Sequence, residues 1–122
     1  MTVKVIDFGQ DAGQTTYRRL ADLPDRVVEG DPHHESTLRF TSHDGKLIAG
    51  TWTSTPGKWH AFTARDEFCY ILTGHVRLIA EDGSAQTFRS GDAFLIPDGF
   101  RGLWEVIETT TKHFVIRDHG ND

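Results

Sequence analysis

Six side chains between positions 60 and 112 have types that do chemistry: His60, Phe62, Glu67, Cys69, Trp104 and Lys112. An imidazole and a carboxylate together make half of a divalent-metal set or an acid–base pair. A carboxylate and an ammonium can fix the amine and acid ends of a small polar metabolite. A thiol is a nucleophile only where its pKa is depressed, and aromatic rings offer faces for a flat ligand. In extended chain, residues two apart share a face. His60 and Phe62 therefore share one, Glu67, Cys69 and Ile71 a second, Trp104 and Val106 a third, and Lys112, Phe114 and Ile116 a fourth.

Each also has a purely structural reading. Glu67 inside a protein is costly unless paired, and Lys112 or Arg65 can serve as that partner. A histidine without ligand partners, as His60 is here, reads as hydrogen-bonded or solvated. Trp104 packs in a core, and Cys69, with apolar neighbours and no adjacent cation, reads as an inert buried thiol. The His33–His34 pair with Asp31 and Glu35 falls in a polar stretch without a further partner and reads as solvated, while His43, His75, His113 and His119 are isolated.

The elements that must position these groups are short. Gly74, Gly83, Gly91 and the Pro97–Asp98–Gly99 turn divide residues 67–106 into runs rich in Val, Ile, Leu, Phe and Tyr, the pattern of antiparallel strands. Asp44–Gly45 and Asp82–Gly83 are hairpin signals, since both residue types tolerate positive φ. From Thr37 onward about nine strands at roughly ten-residue spacing predict a sandwich or barrel. Before that, residues 1–9 predict a short strand, 14–23 a helical turn halted at Pro24, and 24–36 a surface loop. The domain expectation is an N-terminal strand-and-loop segment over 1–36 packed on a barrel over 37–122, with the last four residues frayed.

Bulk properties narrow the partners. A chain of 122 residues is one domain's length, with 37% hydrophobic and 25% charged residues. A net charge of -5 without a Lys/Arg cluster argues against nucleic acid. No run of about 18 apolar residues predicts a membrane span, and the N-terminal apolar run is too short for a secretory signal. The single cysteine excludes an intramolecular disulfide and fits a reducing compartment, so a cytoplasmic location is expected. Triad, P-loop, dinucleotide and C-x-x-C motifs are absent from the sequence.

Two spacings carry a resemblance. Glu67 and Gly74 match the E-x6-G ending of the first motif of the cupin superfamily, G-x5-H-x-H-x3,4-E-x6-G. Gly91, Pro97 and Gly99 match the G-x5-P-x-G opening of the second, G-x5-P-x-G-x2-H-x3-N. More narrowly, TPG at 55–57, DEFCYILTG at 66–74, GDAFLIPDGFRGLWEV at 91–106 and KHFVI at 112–116 are similar to small single-domain cupins related to ureidoglycine aminohydrolase. The resemblance implies an all-β jelly-roll barrel (a double-stranded β-helix), a homodimer, and any ligand held in the barrel mouth. It implies a metal bound by two histidines, the glutamate and a further histidine. Here His60 stands at the first histidine position, but Phe62, Gly102 and Val106 replace the second histidine, the second-motif histidine and the asparagine. His60 and Glu67 are the residual metal candidates, and no metal or other cofactor is expected.

With Glu67 turned into such a barrel, the expected pocket is His60, Phe62, Glu67, Cys69 and Trp104, with Lys112 at the rim. The leading functional expectation is a cupin that binds a small polar metabolite without a metal. The alternatives are a metal-dependent hydrolase or dioxygenase of the ureidoglycine-aminohydrolase kind, using His60 and Glu67, and a structural or regulatory dimer with a vestigial pocket. Phe68 and Tyr70, on the opposite face of the Glu67 strand, are candidates for a second sheet or a dimer contact.

Overall fold

Turns marked by glycine and proline separate runs of β-branched and aromatic residues, and those runs pair as strands. The computed structural model describes residues 2–10 and 13–119. Among them are nine strands: β1 (Gln14–Arg19), β2 (Val27–Gly30), β3 (His33–Thr41), β4 (Leu47–Ser54), β5 (Gly57–Phe62), β6 (Arg65–Ala80), β7 (Ala85–Arg89), β8 (Ala93–Ile96) and β9 (Arg101–Asp118). The described residues contain no α-helix, and so no helix that could cross a membrane.

All pairings are antiparallel. The order β1-β3-β4-β9-β5-β2 forms one path, while β6 pairs with β9, β7 and β8. β9 is the spine: β6 runs along one side, and β4 and β5 divide the other, so the sheet curls into a jelly-roll barrel. A buried cluster including Trp59, Cys69, Ile71, Val76, Leu78, Ile96, Trp104 and Val106 fills it.

Gly74 is where the long β6 turns. Its φ of 120° lies in a region closed to side chains, and a Cβ there would collide with Thr110. The β6–β9 register shifts between Ile71 and Val76. That bulge moves the buried positions from Cys69 and Ile71 to Val76 and Leu78, so one strand of 16 residues keeps its apolar side chains inward through the bend. Gly74 predicts a break here, and the separate faces read for Trp104–Val106 and Lys112–Ile116 predict another within β9. Both strands run through instead, because the ladder between them satisfies their backbones across the interruption.

The first third of the chain differs from expectation. Residues 14–19 are strand, paired with β3 from Gln14 opposite Leu38 to Arg19 opposite His33, and only Leu20–Asp22 makes a helical (3-10) turn. Thr15, Thr16 and Tyr17 fit a pleated strand, and the partner strand decides the matter over the three-residue apolar spacing. The loop expected over 24–36 holds β2 and the start of β3, whereas the described residues before Gly13 contain no strand. The expected frayed end lies, apart from His119, outside the described residues.

Candidate functional site

Register on β5 and β9 builds the centre of the site. Trp59 lies opposite Trp104, and their indoles stack 9° from parallel with centroids 6.1 Å apart. Trp52 on β4 joins them, 5.6 Å from Trp104, and lies opposite Lys112. These three indoles wall a cavity of about 140 Å3 that Glu67, Lys112, His34, Arg26, Arg65 and Phe62 also line.

Lys112 is the floor. Its Nζ donates to Glu67 Oε2 at 2.7 Å, lies 3.5 Å from Cys69 Sγ, and sits 4.5 Å from the ring centres of both Trp52 and Trp104. The lysine expected at the rim is thus buried, with a side-chain exposure of 5% against 18% for Glu67. Burial opposes the Glu67 carboxylate, but the charge and hydrogen bond of Lys112 outweigh it, holding Glu67 below its ordinary value. Burial likewise opposes the ammonium. Its acidic neighbours, Cys69 and Glu67, more than offset this, so Lys112 is held above its ordinary value. With the Cys69 thiol neutral, the carboxylate is the charge that does so at neutral pH. Burial first, with a contribution from Glu67 and against that of Lys112, pushes the Cys69 thiol up to about 12. It is no nucleophile.

Glu67, Cys69, Trp104 and Lys112 therefore meet. His60 does not join them. On β5 the inward residues are Trp59 and Ala61, while His60 is exposed in an outer groove beside Glu81 and Arg101. Phe62 shares that outward face, 57% exposed, and reaches only the cavity's edge. The correction is one of phase: facing Trp59 inward buries an indole among indoles, and a one-residue slip would bury the imidazole instead. The Lys58–Trp59–His60–Ala61 alternation was the available signal, with Trp59 and Ala61 the apolar set.

Two further groups escaped the sequence reading. His34, placed in a solvated loop from its polar neighbours, lies on β3 with its ring edge-on to Trp52 at 5.0 Å and Trp59 at 4.9 Å. Its Nε2 is buried and without a hydrogen-bond partner. Burial, then the charges of Lys112, Arg18, Arg26 and His33, lower its pKa to about 4, so the ring is neutral at pH 7. Arg26 is the other. Its Nε donates to the His60 carbonyl at 2.7 Å, and its guanidinium lies 5.0 Å from the Phe62 ring centre.

The donor set does not fit a divalent metal. His60 faces away from Glu67, and an ammonium already lies on that carboxylate. Among the described residues no three His, Cys, Asp or Glu side chains converge. Gly102, on the inward face with Trp104, has no room for a ligand either: a Cβ there would collide with the Ile79 carbonyl oxygen.

Comparison with known proteins agrees with this architecture. A family model described as the EutQ-like cupin domain matches residues 41–114. No curated protein matches the chain. Among solved structures, the Clostridium difficile EutQ protein superposes with a TM-score of 0.65 at 19% identity, over 73% of this chain and 65% of that one. A DUF861-family protein of unknown function from Pseudomonas syringae gives a TM-score of 0.75 at 24% identity, over 84% of this chain and 44% of its own. A DUF861 protein from Thermotoga maritima gives 0.51 at 33% identity, over 52% of this chain and 73% of its own. The first two likenesses show the fold, and the chain spans less than two thirds of either of those neighbours.

Proposed function

The chain belongs to the EutQ-like cupin domain family, and on that premise we propose that it is a small-molecule-binding cupin whose ligand sits in the barrel mouth without a metal ion. The observation that carries this reading is Lys112, buried between Trp52 and Trp104 with its ammonium on Glu67. A fixed organic cation stands on the glutamate that would otherwise serve a metal. Above it lies a concave, indole-walled space with a few polar groups, which is how small-molecule sites are commonly built.

A metal-dependent hydrolase or dioxygenase of the ureidoglycine-aminohydrolase kind needs a metal-activated water or oxygen. Neither the position of His60 nor that of Gly102 favours it. The idea that Glu67 holds a ligand's amine also changes, because Glu67 already holds Lys112.

The test is a thermal-shift screen of carboxylates, amino acids and ureides, run with and without prior EDTA treatment. A bound ligand raises stability by mass action, about 2.7 kcal/mol at a hundred times its Kd. At least one compound should stabilise both preparations equally. A screen without any stabilising compound, or stabilisation lost with EDTA and restored by a divalent ion, overturns the proposal.

A further inference from the structure

The charge around the cavity is unbalanced. Arg26, Arg65 and Lys112 line it against one carboxylate, Glu67, leaving a surplus of two positive charges while His34 is neutral. Glu67 is already occupied, since its Oε2 accepts from Lys112 at 2.7 Å and lies 3.5 Å from the Cys69 thiol. Neither Arg26 nor Arg65 forms an ion pair with a carboxylate of the described residues. Burial, and then the charges of Arg18 and Arg65, hold Arg26 below its ordinary value, and Arg65 also acts through space on Glu67. The whole chain carries a net charge of -5, which makes a cationic cavity a local construction rather than a reflection of composition. A recess with low-dielectric walls and one sign of charge concentrates ions of the opposite sign.

His34 adds a second, independent feature. Its buried Nε2 has no partner, and buried polar atoms without one are uncommon because the lost hydration is not replaced. His34 lines the same cavity as the two guanidiniums, but its Nε2 presents essentially no surface there, so a ligand reaches that atom only as the ring turns. A ligand that satisfies both features needs an anionic group and a separate neutral polar atom.

Resting on the proposed binding function, we infer that the occupant is a small organic carboxylate with a hydroxyl or keto oxygen, its anionic group held by the Arg26–Arg65 side of the cavity and its second oxygen by His34 Nε2. The volume sets the size. At about 30 Å3 for each water's share of liquid volume, the 140 Å3 cavity has room for about five waters, enough for a carboxylate of a few carbons. Three indoles suit its organic body better than they suit a heavily hydrated phosphate. An amino-acid zwitterion brings an ammonium into a site whose one acid is already taken.

The experiment is isothermal titration of the full chain at low ionic strength with lactate, pyruvate, propionate, lactamide, alanine and inorganic phosphate. Lactate or pyruvate should bind about tenfold or more tightly than lactamide, since a hydrogen bond to a charged group is involved. Either should also bind several-fold more tightly than propionate, and His34→Ala should abolish that preference while leaving propionate unchanged. Arg26→Gln and Arg65→Gln should each weaken all carboxylates, with near-UV circular dichroism reporting that the variants remain folded. Lactamide, alanine or phosphate binding as tightly as lactate overturns this inference while leaving a small-molecule cupin in place. A lactate–propionate preference that survives His34→Ala overturns the role of His34. Binding of none of the six overturns the carboxylate inference, and the broad screen then decides separately whether any other molecule binds.

Discussion

Lys112 Nζ lies 2.7 Å from Glu67 Oε2, and the two side chains come from strands that pair along their whole length. They are 45 positions apart in the chain, yet each supplies the charge that makes burial of the other tolerable. Removing one partner leaves an isolated charge, which costs far more than the pair itself contributes.

Lys112→Met should therefore destabilise the protein by about 3–5 kcal/mol, and Glu67→Gln by a comparable amount. The double variant should recover a substantial part of the loss. Urea unfolding of the four proteins gives the coupling directly, and simple additivity would show that the contact carries no energetic weight.

Metal binding should not be restored by rebuilding the family's histidine. Gly102→His places a Cβ against the Ile79 carbonyl oxygen, so destabilisation above about 2 kcal/mol is expected, with no gain in bound zinc or manganese. His60→Ala, at an exposed position, should stay within about 0.5 kcal/mol of the parent. Elemental analysis and unfolding midpoints check both.

His34 should give the protein a pH dependence. Its folded pKa, about 4, lies below the ordinary histidine value of 6.5, so between those values the unfolded chain binds a proton that the folded chain refuses. This contribution is whole above pH 6.5 and is lost as the pH falls towards 4. The loss should reach up to roughly 3 kcal/mol, less whatever solvent screens at this partly buried ring. His34→Gln should remove that share of the slope in urea unfolding followed from pH 7 to pH 4. An identical slope in the variant would refute the assignment.

Cys69 should be silent towards thiol reagents. With its pKa pushed up to about 12 and no exposed surface, it presents neither thiolate nor access. Native protein should react with a disulfide reagent only at the rate of global opening, and fully once unfolded. Rapid stoichiometric labelling of the native state would contradict the burial.

The features legible in the sequence are those with local causes. Asp82–Gly83, Gly91 and Pro97–Asp98–Gly99 mark turns because positive φ and fixed proline φ are properties of single residues. The alternation from Glu67 to Leu72 was also local, and Cys69 and Ile71 are fully buried while Phe68 and Tyr70 remain partly exposed. Glu67, Cys69, Trp104 and Lys112 were legible as candidates by type and shared face. The position of His60 was legible only in part: Trp59 and Ala61 alternate with it as the apolar set, but Phe62 on its own face leaves the phase of the strand to its partners.

The sequence by itself determined an all-β chain, its principal turns and the loss of the histidines expected at 62 and 102. Only the tertiary structure decided that Trp59 rather than His60 faces Trp104, that Lys112 is floor rather than rim, and that His34 and Arg26 reach the same cavity. Turns follow from torsional preferences of one or two residues. A pocket assembled from β3, β4, β5, β6, β8 and β9, with Arg26 just ahead of β2, follows from register between distant strands, where a shift of one residue exchanges every inward side chain for its neighbour.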